Sequence, residues 1–210
     1  GSSKGGVGTT TLHRYNASAG NWSNSGDLFF TGTSAAQDGT FWEMPNITPM
    51  TDGRWLFTVT PLITLQGVRT LYWVGSISDE GKFIPDANSR TPRLVELNSR
   101  QGFGLLSPTV YNHDGKTIVL GIVPDKLPSA TNWRLGWAHC YSLPREWSLS
   151  ADGSLLQKPY SGLTGLRTPT CFSRRSFDLD GSIDLSPVRG RAVEISAIFE
   201  VGSSSFGFNV

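Results

Sequence analysis

Apolar and polar residues alternate along this chain in short runs that have the period of β-strands. Runs rich in β-branched and aromatic residues occupy residues 55–59, 70–76, 117–123, 154–157, 182–185 and 192–201. Most of them follow an Asp-Gly pair, at residues 38–39, 52–53, 114–115, 152–153 and 180–181. Asp-Gly favours two-residue hairpin turns, because both central positions need positive φ. No segment keeps a helical period over three turns, and 24 Gly and 12 Pro interrupt long helices. The pattern predicts an all-β protein, either a propeller or a sandwich.

The pattern changes near residues 165–172. Before this point the chain is dense in Trp and in glycine turns; after it, apolar residues recur at every second position, namely Val193, Ile195, Ala197 and Phe199. Such alternation is typical of a sandwich strand pair. We therefore predict two domains, residues 1–168 and residues 169–210. A sandwich needs more strands than the second segment supplies, so we expect this segment to hold only its first strands.

The composition limits the classes of function that this chain can have. The net charge of +1 indicates no nucleic-acid partner, and no apolar run reaches the roughly 18 residues that a membrane-spanning helix needs. The seven Trp are spread along the chain, which is typical either of sheet packing or of platforms that stack on sugars. Two cysteines, Cys140 and Cys171, are too few for a disulfide framework. Each is predicted to be a free, small apolar residue.

Neither a metal site nor a phosphate-binding loop is predicted. The three histidines, His13, His113 and His139, do not have the spacing of metal ligands. The Gly-rich segment at residues 4–10 lacks the Lys that a phosphate loop places just before its Ser or Thr. This segment is therefore predicted to be the Gly-rich start of a strand, and no cofactor is expected.

The segment Phe41-Trp42-Glu43-Met44-Pro45-Asn46 carries the strongest candidate chemistry. Aromatic neighbours exclude water, and loss of water raises a carboxyl pKa. A carboxylic acid that stays protonated near neutral pH can donate a proton to a leaving oxygen. Glu43 is therefore a candidate general acid. The alternatives are that Glu43 is an edge residue or an Arg partner, that Phe41 and Trp42 are core residues, and that Asn46 bonds its own backbone.

A second distinctive cluster is Leu143-Pro144-Arg145-Glu146, which Trp133, Trp137 and Trp147 flank. The rigid guanidinium fork of Arg145 could hold a carboxylate or sugar hydroxyls beside an aromatic wall. The alternative is a surface pair between Arg145 and Glu146, which would contribute little.

Further motifs follow the Glu43 motif in a fixed order. They are Gly53-Arg54-Trp55, Tyr72-Trp73-Val74-Gly75, Phe83-Ile84-Pro85, Leu143-Pro144-Arg145-Glu146, Leu155-Leu156-Gln157-Lys158-Pro159 and Leu166-Arg167. Together, over roughly residues 11–170, the chain resembles glycoside hydrolase family 32, the invertase, inulinase and levanase group, whose Glu motif reads Trp-Glu-Cys-Pro-Asp.

The resemblance implies a five-bladed β-propeller with an appended β-sandwich, and retaining hydrolysis of β-fructosyl linkages. By match of motif, Glu43 would be the acid/base that protonates the leaving oxygen. The expected substrate-binding residues around it are Phe41, Trp42, Asn46, Trp73 and Arg145. The expected partner is a fructan or a sucrose-like carbohydrate, and a parent protein that acts on a polysaccharide would be secreted or periplasmic.

The departures from the family pattern bear on activity. The family's nucleophile lies in an Asn-Asp-Pro motif and a second substrate-binding Asp in an Arg-Asp-Pro motif, and neither motif occurs in the 210 residues. The resemblance therefore implies a chain that begins in the third blade and spans about blades 3–5. Met44 and Asn46 replace the usual Cys and Asp, and the family's Asp-Phe-Tyr-Ala segment reads Gly102-Phe103-Gly104-Leu105-Leu106-Ser107-Pro108. The Gly-Trp that follows it in the family reads Gly121-Ile122.

Three hypotheses follow from these departures. The first is a fragment of a fructan or sucrose hydrolase that is inactive in isolation. The second is a non-catalytic carbohydrate-binding or structural propeller module. The third is a propeller hydrolase that acts on another furanoside. Because a partial propeller exposes strand edges and apolar faces, we also expect self-association or pairing with the missing propeller portion.

Overall fold

The computed structural model describes residues 1–23, 26–62, 69–96, 104–125, 127–169, 172–176, 178, 181–185, 188–190, 192–200 and 207–208. The strands of these residues are β1 (Ser2–Lys4), β2 (Val7–Leu12), β3 (Tyr15–Asn16), β4 (Asn21–Trp22), β5 (Asp27–Thr31), β6 (Phe41–Pro49), β7 (Trp55–Leu62), β8 (Leu71–Ile77), β9 (Phe83–Pro85), β10 (Arg93–Leu94), β11 (Leu106–His113), β12 (Lys116–Val123), β13 (Cys140–Tyr141), β14 (Arg145–Leu149) and β15 (Leu155–Pro159). The helices are α1 (Ala35–Asp38), α2 (Ser129–Leu135) and two 3₁₀ segments, Ala87–Ser89 and Ser161–Leu166. In this described part of the chain, no helix combines the length and the apolar character that crossing a bilayer requires.

The strands form three consecutive antiparallel sheets. The first sheet has the order β1-β2-β5, the second β10-β8-β7-β6 with β9 also paired to β8, and the third β11-β12-β14-β15 with β13 also paired to β12. A short hairpin, β3-β4, stands apart from them. The prediction of an all-β fold made of short strands and turns is confirmed, and the sequential antiparallel sheets are those of a propeller-type architecture.

Three of the five Asp-Gly pairs lie in hairpin connections, at residues 52–53, 114–115 and 152–153, but only the pair at 114–115 forms the predicted two-residue turn; the other two lie within five-residue connections. Only at Asp114 and Gly115 do both residues have positive φ, 49° and 69°. The pair at residues 38–39 instead ends α1, and residue 180 of the fifth pair lies outside the described residues. Gly5 and Gly6, with φ of 59° and 78°, turn β1 into β2, which confirms a strand entry in place of a phosphate loop.

The second sheet is buried on both faces, which explains why its strands read as nearly continuous apolar runs. One face packs against the first sheet through a cluster of Trp42, Phe57, Val59, Leu71, Trp73 and Phe83. The other face packs against the third sheet through Met50, Leu56, Tyr72, Val74, Val95, Leu105, Val119 and Trp147. β6, the strand with the candidate acid, lies at the edge of this doubly covered sheet.

The chain divides into two compact units, Gly1–Gly165 and Leu166–Val210. The second unit holds an ion pair between Arg167 and Glu194 and an edge-to-face contact between Phe199 and Phe208. Its described residues contain no strand, although strands were predicted at residues 182–185 and 192–201. Val193 and Ile195, two residues of the alternating apolar pattern, are exposed. Cys140 is a free, exposed thiol, and Cys171 lies outside the described residues.

Candidate active site

A β-bulge interrupts β6 directly after Glu43. Glu43 pairs with Thr60 and Asn46 pairs with Thr58, so two residues, Met44 and Pro45, stand opposite one residue of β7. Met44 has a φ of 48°, in the left-handed region that few non-glycine residues adopt. Proline cannot donate a backbone hydrogen bond, and bulges are where sheets tolerate it. Since bulges re-aim side chains and are frequent beside active sites, the Met44-Pro45 pair defines the local geometry of Glu43.

Trp42 holds β6 in place from the core side. Its side chain is 0% exposed, and its indole lies 5.3 Å from Trp73 and 5.5 Å from Phe30, measured between ring centroids. The indole Nε1 donates to the backbone carbonyl of Asp38 at 2.6 Å. A Cβ at Gly8 would lie 2.2 Å from the indole Cδ1, so this packing requires glycine there. Trp42 and Trp73 therefore support the strand from behind and offer almost no surface to a ligand.

Glu43 lies on the opposite face of β6 and is exposed. We predicted that its aromatic neighbours would exclude water from it; the structure shows otherwise. Successive side chains of a strand point to opposite faces, so the ring of Trp42 packs on the side away from Glu43. Among the described residues, the Glu43 carboxyl group makes no hydrogen bond or ion pair. It is therefore available to a ligand that approaches this face.

The other two predicted site residues of β6, Phe41 and Asn46, have different environments. Phe41 is exposed on the same face as Glu43. Asn46 is half-buried and accepts a hydrogen bond from the Thr48 hydroxyl at 3.0 Å, so its side chain is engaged locally, close to the alternative that we had weighed.

Arg145 has a partner that the sequence analysis missed. Its guanidinium forms an ion pair with Glu96 and donates to Gln157 Oε1 at 3.1 Å. The Trp147 indole donates to the same Gln157 oxygen at 2.9 Å, and Gln157 Nε2 donates to the Val95 carbonyl at 2.7 Å. Arg145 therefore connects the second and third sheets. In the described part of the chain, no bond joins it to Glu43.

Glu146 and the Trp residues around Arg145 also differ from the predicted arrangement. Glu146 does not pair with Arg145, because neighbouring residues of β14 face opposite ways; it accepts from Ser161 and pairs with Lys158 at 3.0 Å. The backbone N–H and hydroxyl of Ser161, together with Lys158, lower the pKa of Glu146 to about 2. Trp147 is buried in the core, whereas Trp133 and Trp137 are exposed, so the three do not form one wall.

The segment after Glu96 is tied down at its far end. Glu96 Oε2 accepts from the Leu105 N–H at 3.2 Å, and the Thr70 hydroxyl donates to the Leu105 carbonyl at 2.5 Å. Ser107 N–H donates to the Thr60 hydroxyl at 2.9 Å, opposite Glu43 in the register of β6 and β7. The altered segment at residues 102–108 thus begins outside the described residues and ends against the strand that pairs with Glu43.

The family model for the glycosyl hydrolases family 32 N-terminal domain matches residues 1–159. The chain belongs to this family. None of the curated proteins matches the chain. Solved structures of low sequence identity share the fold of this family 32 chain.

Two of these structures illustrate the likeness. The β-fructofuranosidase of Bombyx mori, a family 32 enzyme, is 22% identical with a TM-score of 0.62, over 81% of this chain and 36% of that one. Fructan 1-exohydrolase IIa of Cichorium intybus, in a complex with 1-kestose, is 18% identical with a TM-score of 0.61, over 79% of this chain and 32% of that one. The present chain thus spans about a third of the length of these family 32 structures.

Glu96 and Gln157 carried weak signals in the sequence. Glu96 is a single acid that follows Leu94-Val95 just after the two-residue strand β10, and Gln157 is the only polar uncharged residue in Leu155-Leu156-Gln157-Lys158-Pro159. An isolated acid near an isolated Arg could have been paired only with knowledge of which strands are neighbours. The pairing of β14 with β15 supplies that knowledge for Gln157, whereas Glu96 reaches Arg145 from the end of β10 in the second sheet.

Proposed function

We propose that this chain is part of a retaining glycoside hydrolase that acts on β-fructosyl linkages of the sucrose, inulin or levan type, with Glu43 as the general acid/base. The observation that carries the proposal is the position of Glu43: an exposed carboxyl group that has no partner among the described residues, beside a β-bulge, within the Trp-Glu motif of its family. The Bombyx mori enzyme complexed with sucrose and the Cichorium intybus enzyme complexed with 1-kestose support the substrate class.

The surroundings of Glu43 suit an acid/base that must exchange its proton. A general acid has to reach the leaving oxygen, and a salt bridge to the chain would compete with that contact. Glu43 has no such competitor in the described structure, while Trp42 and Trp73 fix the strand behind it. In this proposal, Phe41 and Asn46 contact the sugar, and Trp42, Trp73 and Arg145 position the strands that carry the site.

We further propose that the three sheets are about blades 3–5 of a five-bladed propeller, with residues 1–168 as the propeller portion and residues 169–210 as the start of the sandwich. Retaining glycosidases need a second carboxyl group about 5 Å from the acid/base, which acts as the nucleophile. Because the sequence contains neither Asn-Asp-Pro nor Arg-Asp-Pro, we expect the 210-residue chain to lack the covalent step and to be inactive alone.

A direct assay tests both parts of this proposal. The 210-residue chain and the full-length natural product of its gene are incubated with sucrose, inulin and levan. We expect no turnover by the chain alone, turnover by a product that includes both missing motifs, and a loss of about 10²–10⁴-fold in kcat for Glu43→Gln. The matched control is Glu80→Gln, an exposed Glu in the turn between β8 and β9 that should leave kcat unchanged. Full activity of Glu43→Gln would refute the assigned role.

One observation favours a second candidate, a non-catalytic carbohydrate-binding module. The guanidinium of Arg145, a predicted sugar ligand, is neutralised by Glu96, and the segment at residues 102–108 lacks the family's Asp and Tyr. Calorimetry with fructo-oligosaccharides separates the two candidates. Saturable binding by the full-length product without any turnover would favour the module. Turnover of an arabinofuranoside in place of sucrose would favour the third reading, a hydrolase of another furanoside.

A further inference from the structure

A cavity of about 280 Å³ lies between the first and second sheets, apart from Glu43. Its volume is near the lower end of the roughly 300–1,000 Å³ of small-molecule pockets. Phe30 and Trp73 line it, in an edge-to-face contact with ring centroids 5.3 Å apart; Phe30 is half-buried and supplies most of the aromatic surface, since Trp73 is only 1% exposed. Ile84 and Pro85 of β9 also line the cavity. The cavity is therefore mainly apolar, with few polar groups to orient a ligand.

Asp38 is one of these polar groups, and its hydrogen bonds are incomplete. Its side chain lines the cavity and is 1% exposed. Oδ2 accepts from the backbone N–H groups of Thr33, at 2.5 Å, and Ser34, at 3.0 Å. Oδ1 accepts from no described group of the chain. A buried acceptor without a donor destabilises the fold, and more so when it is charged, so a donor from a ligand would be favoured here.

Arg90 provides the opposite charge at the rim. It is exposed, lines the cavity and makes no ion pair among the described residues. A carboxylate and a guanidinium on one apolar cavity leave its lining without net formal charge. The ligand that fits is neutral: it donates to Asp38, accepts from Arg90 and lays C–H groups on an aromatic wall. A polyol or single sugar ring has these three properties.

The cavity is connected to β6 through the backbone of Asp38. The carbonyl of Asp38 accepts from Trp42 Nε1, and Trp42 precedes Glu43 on the strand. Glu43 itself projects from the other face of β6 and does not line the cavity. An occupant would thus lie behind the candidate active site and not within it.

We infer that this cavity is a second carbohydrate subsite, which binds one monosaccharide-sized polyol through Asp38 and Arg90. D-fructose is chosen as the first probe because of the proposed function. The inference that a polyol binds to Asp38 and Arg90 does not depend on that function.

The test is a titration of the ¹⁵N-labelled 210-residue chain with D-fructose, glycerol and propylammonium, followed through the indole N–H signals of Trp42 and Trp73. We expect saturable shifts of both signals with fructose at millimolar concentrations. Arg90→Ala should weaken this binding about threefold to tenfold, the loss expected of one hydrogen bond. Ile84→Trp, which fills the mouth of the cavity, should abolish it. Both substituted side chains are exposed, so the fold should persist.

Two controls make the outcome decisive. Arg134→Ala removes an exposed Arg from α2, away from the cavity, and should leave fructose binding unchanged. Glu43→Gln should also leave it unchanged, so that failure of this subsite and failure of the proposed catalytic role are distinguishable. The inference is overturned if fructose gives no saturable shift, if both cavity variants bind it like the wild type, or if propylammonium binds more tightly than fructose.

Discussion

The two contacts of the second sheet are built differently. Its contact with the first sheet is aromatic: Phe30, Trp42, Phe57 and Trp73 meet with ring centroids 5.3–5.9 Å apart. Its contact with the third sheet is largely aliphatic and is joined by polar bonds from one sheet to the next. The aromatic contact fixes β6 mainly by ring packing, with one hydrogen bond from Trp42 Nε1 to the Asp38 carbonyl. Glu43 lies on the opposite face of β6, where no side chain of the described residues pairs with it.

At the contact between the second and third sheets, polar and charged side chains bind one sheet to the other. Arg54 donates to the Ser150 carbonyl at 2.6 Å, and the Leu155 N–H donates to the Tyr72 hydroxyl at 3.0 Å. Arg145 is occupied by Glu96. The charged residues Arg54 and Arg145 therefore link the two sheets, and their guanidinium groups are not free to bind a ligand.

The largest effect is expected from breaking the aromatic contact. Trp42→Ala removes a fully buried indole and its bond to the Asp38 carbonyl, so the free energy of unfolding should fall by about 3–5 kcal/mol. Urea denaturation followed by circular dichroism measures this loss. Trp133→Ala, which removes an exposed indole of α2, is the control. An equal loss in both variants would show that the contact does not carry the stability assigned to it.

A smaller effect is expected at the polar contact. Glu96→Ala or Arg145→Ala leaves its partner half-buried without its ion pair, and each should cost about 1–3 kcal/mol. The double variant should cost less than the sum of the two, since the pair is lost only once. Additive losses in a double-mutant cycle would indicate that the two side chains act independently.

Acid should weaken the third sheet. The pKa of Glu146 is lowered from 4.5 to about 2, so its contribution is complete above pH 4.5 and is lost as the pH falls toward 2. The hydroxyls of Ser150 and Ser154 likewise lower the pKa of Asp152 to about 2. Glu146→Gln should therefore be less stable than the wild type at pH 7, with a difference that narrows at pH 3. Urea denaturation at both pH values checks this, and a constant difference would contradict it.

The smallest effect is expected from Trp133→Ala alone. Because Trp133 is 86% exposed, its removal should change the free energy of unfolding by no more than about 0.5 kcal/mol. A loss above 2 kcal/mol would mean that this indole is buried in solution, which would agree with the expected self-association. Light scattering of the same samples would then show a species larger than the monomer.

These contrasts explain which features the sequence could predict. The strands β7 and β12 were predictable because each has a long apolar run that follows an Asp-Gly turn, and β8 was predictable from its apolar run alone. The bulge at Met44 was not, because it depends on the register of β6 against β7, which no local pattern encodes. The pairing of Arg145 with Glu96 could not be predicted from the sequence for the same reason, because 49 residues separate them along the chain.

The exposure of Glu43 shows a further limit of reading neighbours in sequence. Trp42 is adjacent to Glu43 along the chain but faces the core, so it cannot exclude water from the carboxyl group. Its role is to hold the strand, and the face that Glu43 shares with Phe41 remains open to a ligand.

The central claim is that Glu43 protonates the leaving oxygen, and substrates with different leaving groups test it most directly. Sucrose needs the leaving oxygen to be protonated, whereas an aryl β-fructofuranoside has a leaving group that departs as an anion. In the full-length product, Glu43→Gln should lower kcat/KM for sucrose by about 10²–10⁴-fold and lower that for the aryl fructoside far less. Equal losses on the two substrates, or no loss on sucrose, would contradict the claim.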